Sequence, residues 1–302
     1  MTYYPEGINS ALNARFENIN EVKAAIKSRD IFEASVTLCD SEHNLYVNLG
    51  AFTGIIPRIE GALGILEGTL REVALISRVG KRVCFRVIGL HENGSGEIMP
   101  VLSRRSAQTE CKNEYIDKLI PGDIITARVT RLEDFGAFID IGCGIASLIP
   151  IDMLSVSRIK HPSDRLKRDM TIKAVLKSRE DGKLTFSLKE LLGTWEENAA
   201  LFSAGETVTG IVRSIEGYGA FVELTPNLAG LTDSAEGLAE GCAVSVFIKS
   251  FNPEKMKIKL SVVELLESST VNPELRYFIS GGHIDSWLYS PKNAVKNIIS
   301  LF

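Results

Sequence analysis

Between residues 119 and 192, hydrophobic and polar residues alternate in several short stretches, and this two-residue period predicts β-strands. Within residues 125–129, for example, Ile, Ala and Val alternate with Thr and Arg. Further strands are predicted at residues 137–141, 147–150, 172–176 and 184–186. Five short strands would leave exposed sheet edges unless the sheet closes on itself, so we predict a small barrel. One helical stretch between the third and fourth strands is expected to cover an end of it.

The same pattern occurs a second time 83 residues downstream, which indicates an internal repeat. Phe-Gly-Ala-Phe at 135–138 corresponds to Tyr-Gly-Ala-Phe at 218–221, with alternating residues on both sides. The later copy has a shorter middle connection. A weaker third copy lies upstream, where residues 44–50 resemble residues 136–142. In that alignment His43 and Tyr46 occupy the places of Phe135 and Phe138.

Helical patterns surround the repeats. Leu12, Phe16, Ile19, Val22 and Ile26 predict an amphipathic helix over residues 10–28. Thr-x-x-Glu at 194–197 is a capping box that predicts a linker helix over 195–202. The chain is therefore expected to be mainly β, with three tandem five-stranded barrels, an N-terminal helix and helical linkers. The expected segments are an arm (1–29), a degenerate barrel (30–105), a linker (106–118), a barrel (119–192), a linker helix (193–202), a barrel (203–266) and a C-terminal appendage (267–302), which we expect to pack on the last barrel.

The charge of the chain is uneven, although its net value is only −4 over 302 residues. Residues 119–192 carry 12 Lys and Arg against 10 Asp and Glu, whereas residues 193–302 carry 8 against 13. The second repeat is thus the basic one. Attraction to a phosphate backbone depends on such a local surplus rather than on the average.

Other composition features exclude several classes of protein. The five cysteines form no CxxC pair and the four histidines form no HxxH pair, so no disulfide framework, metal site or cofactor is predicted. The N-terminus lacks the features of a secretory signal, and no apolar run reaches the ~18 residues of a membrane span. These features predict a cytoplasmic protein without membrane partners, and we expect a monomer. We find no catalytic triad, and the segments outside the repeats are too short for a catalytic domain, so an enzyme is not expected.

Aromatic residues are the first candidates for a binding site. If the alternating residues 137, 139 and 141 fill the barrel core, Phe138 must point outward, and a bend at Gly136 lets Phe135 face the same side. Such rings are either covered by a neighbouring repeat or available to stack on the bases of single-stranded RNA. The candidate phosphate contacts beside them are Arg128, Arg158, Lys160, His161, Arg165, Lys167, Arg168, Lys177, Lys183, Lys249 and Lys257.

Three motifs of the second copy resemble the RNA-binding repeat of bacterial ribosomal protein S1: Phe-Gly-Ala-Phe-Ile-Asp-Ile-Gly at 135–142, Leu-Ile-Pro at 148–150 and Lys-Leu-Thr-Phe-Ser-Leu-Lys at 183–189. The resemblance implies an oligonucleotide/oligosaccharide-binding (OB) barrel. It also implies RNA contacts by two aromatic residues and by a basic residue that opens the last strand. In this sequence those residues are Phe135, Phe138 and Lys183 in the second copy, and Tyr218, Phe221 and Lys257 in the third. The histidine that the family commonly has in its third strand is replaced here by Pro57, Pro150 and Thr232.

The chain as a whole is similar to a short, three-repeat form of this family. The resemblance implies a non-enzymatic protein that binds single-stranded RNA, with messenger RNA and the small ribosomal subunit as candidate partners in translation. The alternative is a protein-docking module or regulator, because degenerate barrels of this type can bind ribosomal or nuclease partners. The acidic third region and the missing histidines favour that alternative.

Overall fold

Three closed five-stranded barrels follow one another along the chain, as the alternating pattern predicts. The computed structural model describes residues 3–92, 94, 96–266 and 275–302. In each barrel the strands pair in the order 1-2-3-5-4, and the fourth strand closes on the first. Strands three and five run parallel, whereas their other partners are antiparallel. This topology confirms the expected mainly β protein of tandem OB barrels.

The strand bounds differ little between the barrels. Barrel one contains β1 (Phe32–Cys39), β2 (Leu45–Asn48), β3 (Thr53–Ile56), β4 (Arg82–Glu92) and β5 (Ile98–Ser103). Barrel two contains β6 (Ile124–Glu133), β7 (Gly136–Asp140), β8 (Ala146–Pro150), β9 (Thr171–Glu180) and β10 (Lys183–Ser187). Barrel three contains β11 (Thr207–Glu216), β12 (Gly219–Thr225), β13 (Leu228–Thr232), β14 (Ala243–Asn252) and β15 (Lys257–Leu265).

The interior of barrel two is filled by the residues that the alternation selects. Ala127, Val129, Ala137, Ile139 and Phe186 are all completely buried. Along β6 the polar neighbours Thr126, Arg128 and Thr130 are only half-buried, as expected when successive side chains point to opposite faces of a sheet. The outward direction predicted for Phe138 follows from this register.

The connection between β8 and β9 does not form the predicted helix. Barrel two has two 3₁₀ turns there, Ile151–Met153 and Pro162–Asp164. Proline and the His161 side chain, which accepts the Ser163 N–H, fix the second turn as a short capped unit. The α-helices of the described residues are α1 (Ile19–Ser28), α2 (Val73–Ile76), α3 (Arg104–Glu114) and α4 (Trp195–Ala199).

The predicted N-terminal helix is shorter than expected. A 3₁₀ turn spans Ser10–Leu12, and α1 begins only after Asn18, whose side chain accepts the N–H groups of Asn20 and Glu21. The residues between them are extended, because Asn13 and Phe16 form β-bridges with Glu33 and Gly50. An N-cap is worth about 1 kcal/mol, and here it sets the start of the helix within the amphipathic pattern.

The linker helix α4 opens with the predicted capping box of Thr194 and Glu197, but it ends at Ala199 rather than at residue 202. The appendage packs on more than the last barrel. Trp287 and Tyr289 join the core of barrel three, while the Tyr277 hydroxyl accepts the Lys173 N–H of barrel two at 3.1 Å. The first part of the appendage, residues 267–274, lies outside the described residues.

Two compact units make up the chain. One comprises residues 1–119 with 126–128 and 140–146, and the other comprises residues 120–125, 129–139 and 147–302. The second unit therefore contains barrel three, the appendage and most of barrel two, including the aromatic turn before β7. We call these two the N-terminal unit and the C-terminal unit.

Candidate nucleic-acid interface

The aromatic pair of barrel two lies on the outside of the barrel. Phe135 occupies the turn between β6 and β7 and is 57% exposed, while Phe138 on β7 is half-buried. Their ring centroids are 5.9 Å apart and the ring planes are nearly perpendicular. The two rings thus meet edge to face and form one aromatic surface, which leaves most of the Phe135 ring accessible to a stacking base. We call this pair station two.

Gly136 lies between the two rings, at a point where β7 approaches β8 closely. A Cβ atom at this position would clash with the carbonyl oxygen of Ile149 on β8, so the close approach of the two strands requires glycine. The equivalent Gly219 of barrel three would meet the Thr232 carbonyl in the same way and has a φ of +142°. The glycine of the Phe-Gly-x-Phe motif is therefore required by the backbone packing of the strands, independently of the two rings.

Arg131 is a member of the site that the sequence analysis did not select. Its guanidinium carbon lies 4.6 Å from the centroid of the Phe138 ring, within the range of a cation–π contact. Its Nε is 3.0 Å from Glu133; the Arg131 side chain is largely exposed and that of Glu133 is partly exposed. An exposed pair of this kind is weak, so the guanidinium can turn from Glu133 to a phosphate at little cost. Station two thus combines an aromatic surface with a cation at its edge.

Several predicted phosphate contacts are on the surface of barrel two. Lys183 opens β10, which pairs with β8, the neighbour of the aromatic strand β7. Arg158, Lys167 and Arg168 are exposed, as is Lys160, whose Nζ contacts Glu240. The His161 Nε2 lies 3.7 Å from Asp134, in the same turn as Phe135. The basic segment between β8 and β9 therefore reaches the aromatic turn through His161.

Three predicted phosphate contacts are engaged by groups of the protein itself. The Arg165 side chain is completely buried and pairs with Glu223. The Arg128 Nη1 donates a 2.6 Å hydrogen bond to the Glu6 carbonyl. The Lys177 Nζ donates to the Leu301 carbonyl at 3.0 Å and lies 4.5 Å from the Phe302 ring centroid, and partial burial lowers its pKa. The Arg165 side chain has no exposed surface, so its assignment to RNA binding is corrected. Arg128 and Lys177 are engaged by groups of the protein itself, which disfavours their assignment to RNA binding.

Barrel three repeats the aromatic pair with less positive charge around it. Tyr218 is 65% exposed in the turn before β12, and Phe221 is half-buried on that strand. Lys257 is exposed at the start of β15, whereas the Lys249 Nζ pairs with Asp233 at 2.5 Å. We call Tyr218 and Phe221 station three. Its two rings are exposed to a similar degree as those of station two, but a neighbouring carboxylate pairs with one of its two predicted lysines.

Barrel one has no comparable aromatic surface at the equivalent positions. His43 adopts a φ of +64° and its Nδ1 lies 3.6 Å from Glu72. The Tyr46 hydroxyl donates to Asp40 at 3.2 Å, and partial burial together with the Asp40 charge raises the tyrosine pKa. Both side chains are half-buried and engaged with local carboxylates. The barrel thus keeps the fold of the repeat with polar contacts in place of a stacking pair.

Two further findings concern ligands and membranes. Within the ranges that the structure describes, no three His, Cys, Asp or Glu side chains converge closely enough to hold a metal ion. The helices in those ranges are too short or too polar to cross a membrane. The geometry of the described residues is that of a surface for stacking and charge contacts.

Comparison with known proteins agrees with this geometry. The sequence profile of the S1 RNA binding domain matches residues 118–189, which contain barrel two and station two. The fold and the site therefore define a protein of tandem OB barrels that includes an S1 domain.

The curated relatives that the chain resembles are ribosomal S1 proteins. The small ribosomal subunit protein bS1 homolog of Bacillus subtilis is 30% identical over 236 residues, which cover 71% of this chain and 61% of that protein. The small ribosomal subunit protein bS1 of Leuconostoc lactis is 32% identical over 168 residues, which cover 51% of this chain and 39% of that protein. The chain is therefore similar to proteins of the bacterial ribosomal protein S1 family, and it spans less than two thirds of the length of these relatives.

A solved structure was also matched. It is a multidomain protein with nucleic acid binding domains from Streptococcus pneumoniae, 15% identical, and the match covers 78% of this chain and 74% of that one. The TM-score is 0.26, which is too low to carry an argument.

Proposed function

We propose that this chain binds single-stranded RNA by base stacking and phosphate contacts without converting it chemically. We further propose that it acts in the cytoplasm on messenger RNA, in translation at the small ribosomal subunit. One observation carries the proposal: station two presents an exposed Phe135 beside Phe138, inside the segment that matches the S1 RNA binding domain. The names of the relatives support the ribosomal part of the proposal.

The physical basis is the π-face that every unpaired base offers. Stacking on an exposed aromatic side chain is worth ~1–3 kcal/mol per base and depends little on sequence. Exposed cations near station two, Arg131 and Lys183 among them, add attraction to the phosphates. Single-stranded RNA is favoured over duplex because the bases of a duplex are already stacked on one another.

The test is to replace Phe135 and Phe138 together by Ala in the full chain. Affinity for an unstructured oligoribonucleotide, measured by fluorescence anisotropy, is expected to fall at least tenfold, since each stacking contact is worth ~1–3 kcal/mol and a tenfold loss corresponds to about 1.4 kcal/mol. Ile120→Ala is the matched control: this side chain of the same barrel is also 57% exposed but lies outside station two. An unchanged affinity in a double variant with wild-type circular dichroism would refute the proposal.

The ribosomal part has its own test. The tagged full-length protein is expected to capture small ribosomal subunits from a lysate, and brief ribonuclease treatment is expected to release them, because the contact runs through messenger RNA. Subunits retained after nuclease treatment would point to protein docking instead. A capture without ribosomal RNA would contradict the assignment to translation.

A further inference from the structure

A buried ion pair joins barrels two and three within the C-terminal unit. Arg165, in the basic segment after β8, contacts Glu223 on β12, and neither side chain has any exposed surface. Glu223 also accepts hydrogen bonds from Arg213 of β11, at 2.9 Å from Nε and 3.2 Å from Nη2. Burying charges costs several kcal/mol per ion unless the geometry is good and the remaining hydrogen bonds are made. The two guanidinium groups meet that requirement for Glu223.

Asn227 is a second tie between the same barrels. It is completely buried just before β13, and its Oδ1 accepts the Val156 N–H at 3.0 Å. Its Nδ2 donates to the carbonyls of Lys189 and Gly193, at 2.8 Å each. One amide side chain of barrel three thus satisfies backbone groups on two separate segments that belong to barrel two or directly follow it. Such a fully satisfied network fixes position more strictly than apolar packing does.

The same junction connects the two aromatic turns. His161 approaches Asp134, the residue that precedes Phe135 of station two. The adjacent Lys160 contacts Glu240, whose Oε1 accepts the Ile215 N–H at 3.3 Å. Ile215 lies near the end of β11, three residues before Tyr218 of station three. The consecutive residues Lys160 and His161 therefore connect the start of one aromatic turn to the start of the other. Arg165 lies in the same segment.

We propose that barrels two and three form one rigid RNA-binding unit, in which the buried Arg165–Glu223 pair holds stations two and three at a fixed spacing, so that one continuous unpaired strand occupies both. The proposal rests on the proposed function and adds a substrate requirement, a minimum uninterrupted length. A strand bound at one station finds the second at a high effective concentration, which raises the affinity without any new contact type. Arg165 is thus a positioning residue, although it lies in the basic segment.

The test compares a short and a long oligouridylate on the full chain. An OB barrel covers ~4–16 nucleotides, so about 6 nucleotides occupy one station and about 20 span both. Arg165→Met removes the buried ion pair between the barrels, while Glu223 keeps its partner Arg213 inside barrel three. We expect this variant to lose at least fivefold in affinity for the long strand and to bind the short strand within twofold of wild type. Tyr218→Ala removes a ring of station three directly, so it is expected to weaken the long strand more than the short one, which can still bind at station two.

Lys167→Met is the charge-matched control, because Lys167 is exposed two residues from Arg165. Loss of a phosphate contact should weaken both strands by the same factor and leave the ratio of long to short affinity unchanged. If Arg165→Met does not fold, Glu240→Gln loosens the same junction from the surface and should lower that ratio by about twofold.

The outcomes separate the inference from the proposed function. A ratio that stays at the wild-type value in Arg165→Met or Glu240→Gln, and also in Tyr218→Ala, overturns the rigid two-station unit while RNA binding itself stands. A wild-type protein that binds neither strand overturns the proposed function. A selective loss for the long strand in the tie variant and in Tyr218→Ala supports both.

Discussion

Barrels two and three each display a pair of aromatic residues at equivalent positions, but the charges around the two pairs differ. In barrel two, Arg131 lies over the Phe138 ring. The corresponding residue in the repeat is Ser214, which lies opposite Phe221 in the sheet. Barrel three thus has the stacking surface without the adjacent cation. The two parts of the site are therefore independent of each other: the fold of the turn positions the rings, whereas each charge depends on the residue at one exposed position.

The same two repeats also differ in how they use one buried carboxylate. Asp140 and Glu223 occupy equivalent positions, and both are buried. Asp140 accepts the N–H groups of Glu6, Gly142 and Gly144, and burial together with the Glu6 charge raises its pKa to about 7. Glu223 instead meets the guanidinium groups of Arg165 and Arg213. The same position of the repeat therefore holds a carboxyl group bound by backbone N–H groups in barrel two and a carboxylate paired with arginines in barrel three.

The largest effect is expected from Glu223→Gln. This change leaves two guanidinium groups around a neutral amide, and breaking a buried pair costs ~3–5 kcal/mol. Chemical denaturation followed by tryptophan fluorescence measures the loss, because both tryptophans of the chain, Trp195 and Trp287, lie in the core of barrel three. The matched variant Asp140→Asn should cost less at pH 7, where Asp140 is partly protonated. A loss below 1 kcal/mol for Glu223→Gln would contradict the difference between the two sites.

The next effect is a pH dependence of the N-terminal unit. The pKa of Asp140 is about 7 in the native state, whereas its ordinary value, which applies to the unfolded state, is near 4. Between these two pH values the native state holds a proton that the unfolded state has lost. The contribution of Asp140 to stability therefore falls as pH rises from about 4 to about 7, and it is constant above that. Hydrogen exchange of residues 3–7, corrected for intrinsic rates, is expected to show protection that falls from pH 5 to 7. Asp140→Asn should reduce this slope. Burial also raises the pKa of Glu33 to about 7, and this carboxyl accounts for the pH dependence that remains in Asp140→Asn. Protection that increases with pH in this range would refute the assignment.

A smaller effect is expected from exchanging the cation between the stations. Arg131→Ser gives station two the charge of station three, and we expect a two- to fivefold loss of affinity for an oligoribonucleotide. The slope of log affinity against log salt should become shallower by ~0.7, the value for one phosphate contact on a single strand. Ser214→Arg is the reciprocal variant and should gain affinity with a steeper slope. Equal slopes in all three proteins would show that Arg131 touches no phosphate.

The smallest effect on RNA binding is expected from Lys177→Met. Lys177 already donates to the Leu301 carbonyl, so its removal should leave the affinity within twofold of wild type and lower the melting temperature by a degree or two. Lys183→Met removes an exposed cation from the same pair of strands and should weaken binding about threefold. A similar loss of RNA affinity in both variants would show that Lys177 also contacts RNA.

The sequence predicts the barrels well because burial and strand period coincide. Ala137 and Ile139 are buried where the alternation requires, and the repeat extends that prediction to barrel three. The sequence does not predict that Arg131 lies beside the aromatic pair, because the alternation of inward and outward residues is interrupted by a β-bulge. The bulge is seen in barrel three, where the strand pairing shifts between Val212 and Ser214. These two residues are the counterparts of residues 129 and 131. Nor does it reveal that Arg165 is buried, since its partner Glu223 is 58 residues away. A basic cluster looks the same in sequence whether its members face solvent or a second barrel.

The aromatic end of the appendage has a practical consequence for dissecting the protein. Trp287 and Tyr289 belong to the core of barrel three, and the Tyr289 hydroxyl donates to the Asn227 carbonyl at 2.5 Å. A recombinant fragment cut after β15 would therefore keep every strand of the last repeat and still lack two large rings from its interior. Such a truncation should express as a loosened, aggregation-prone species, so fragments meant to isolate that repeat have to carry residues 275–302.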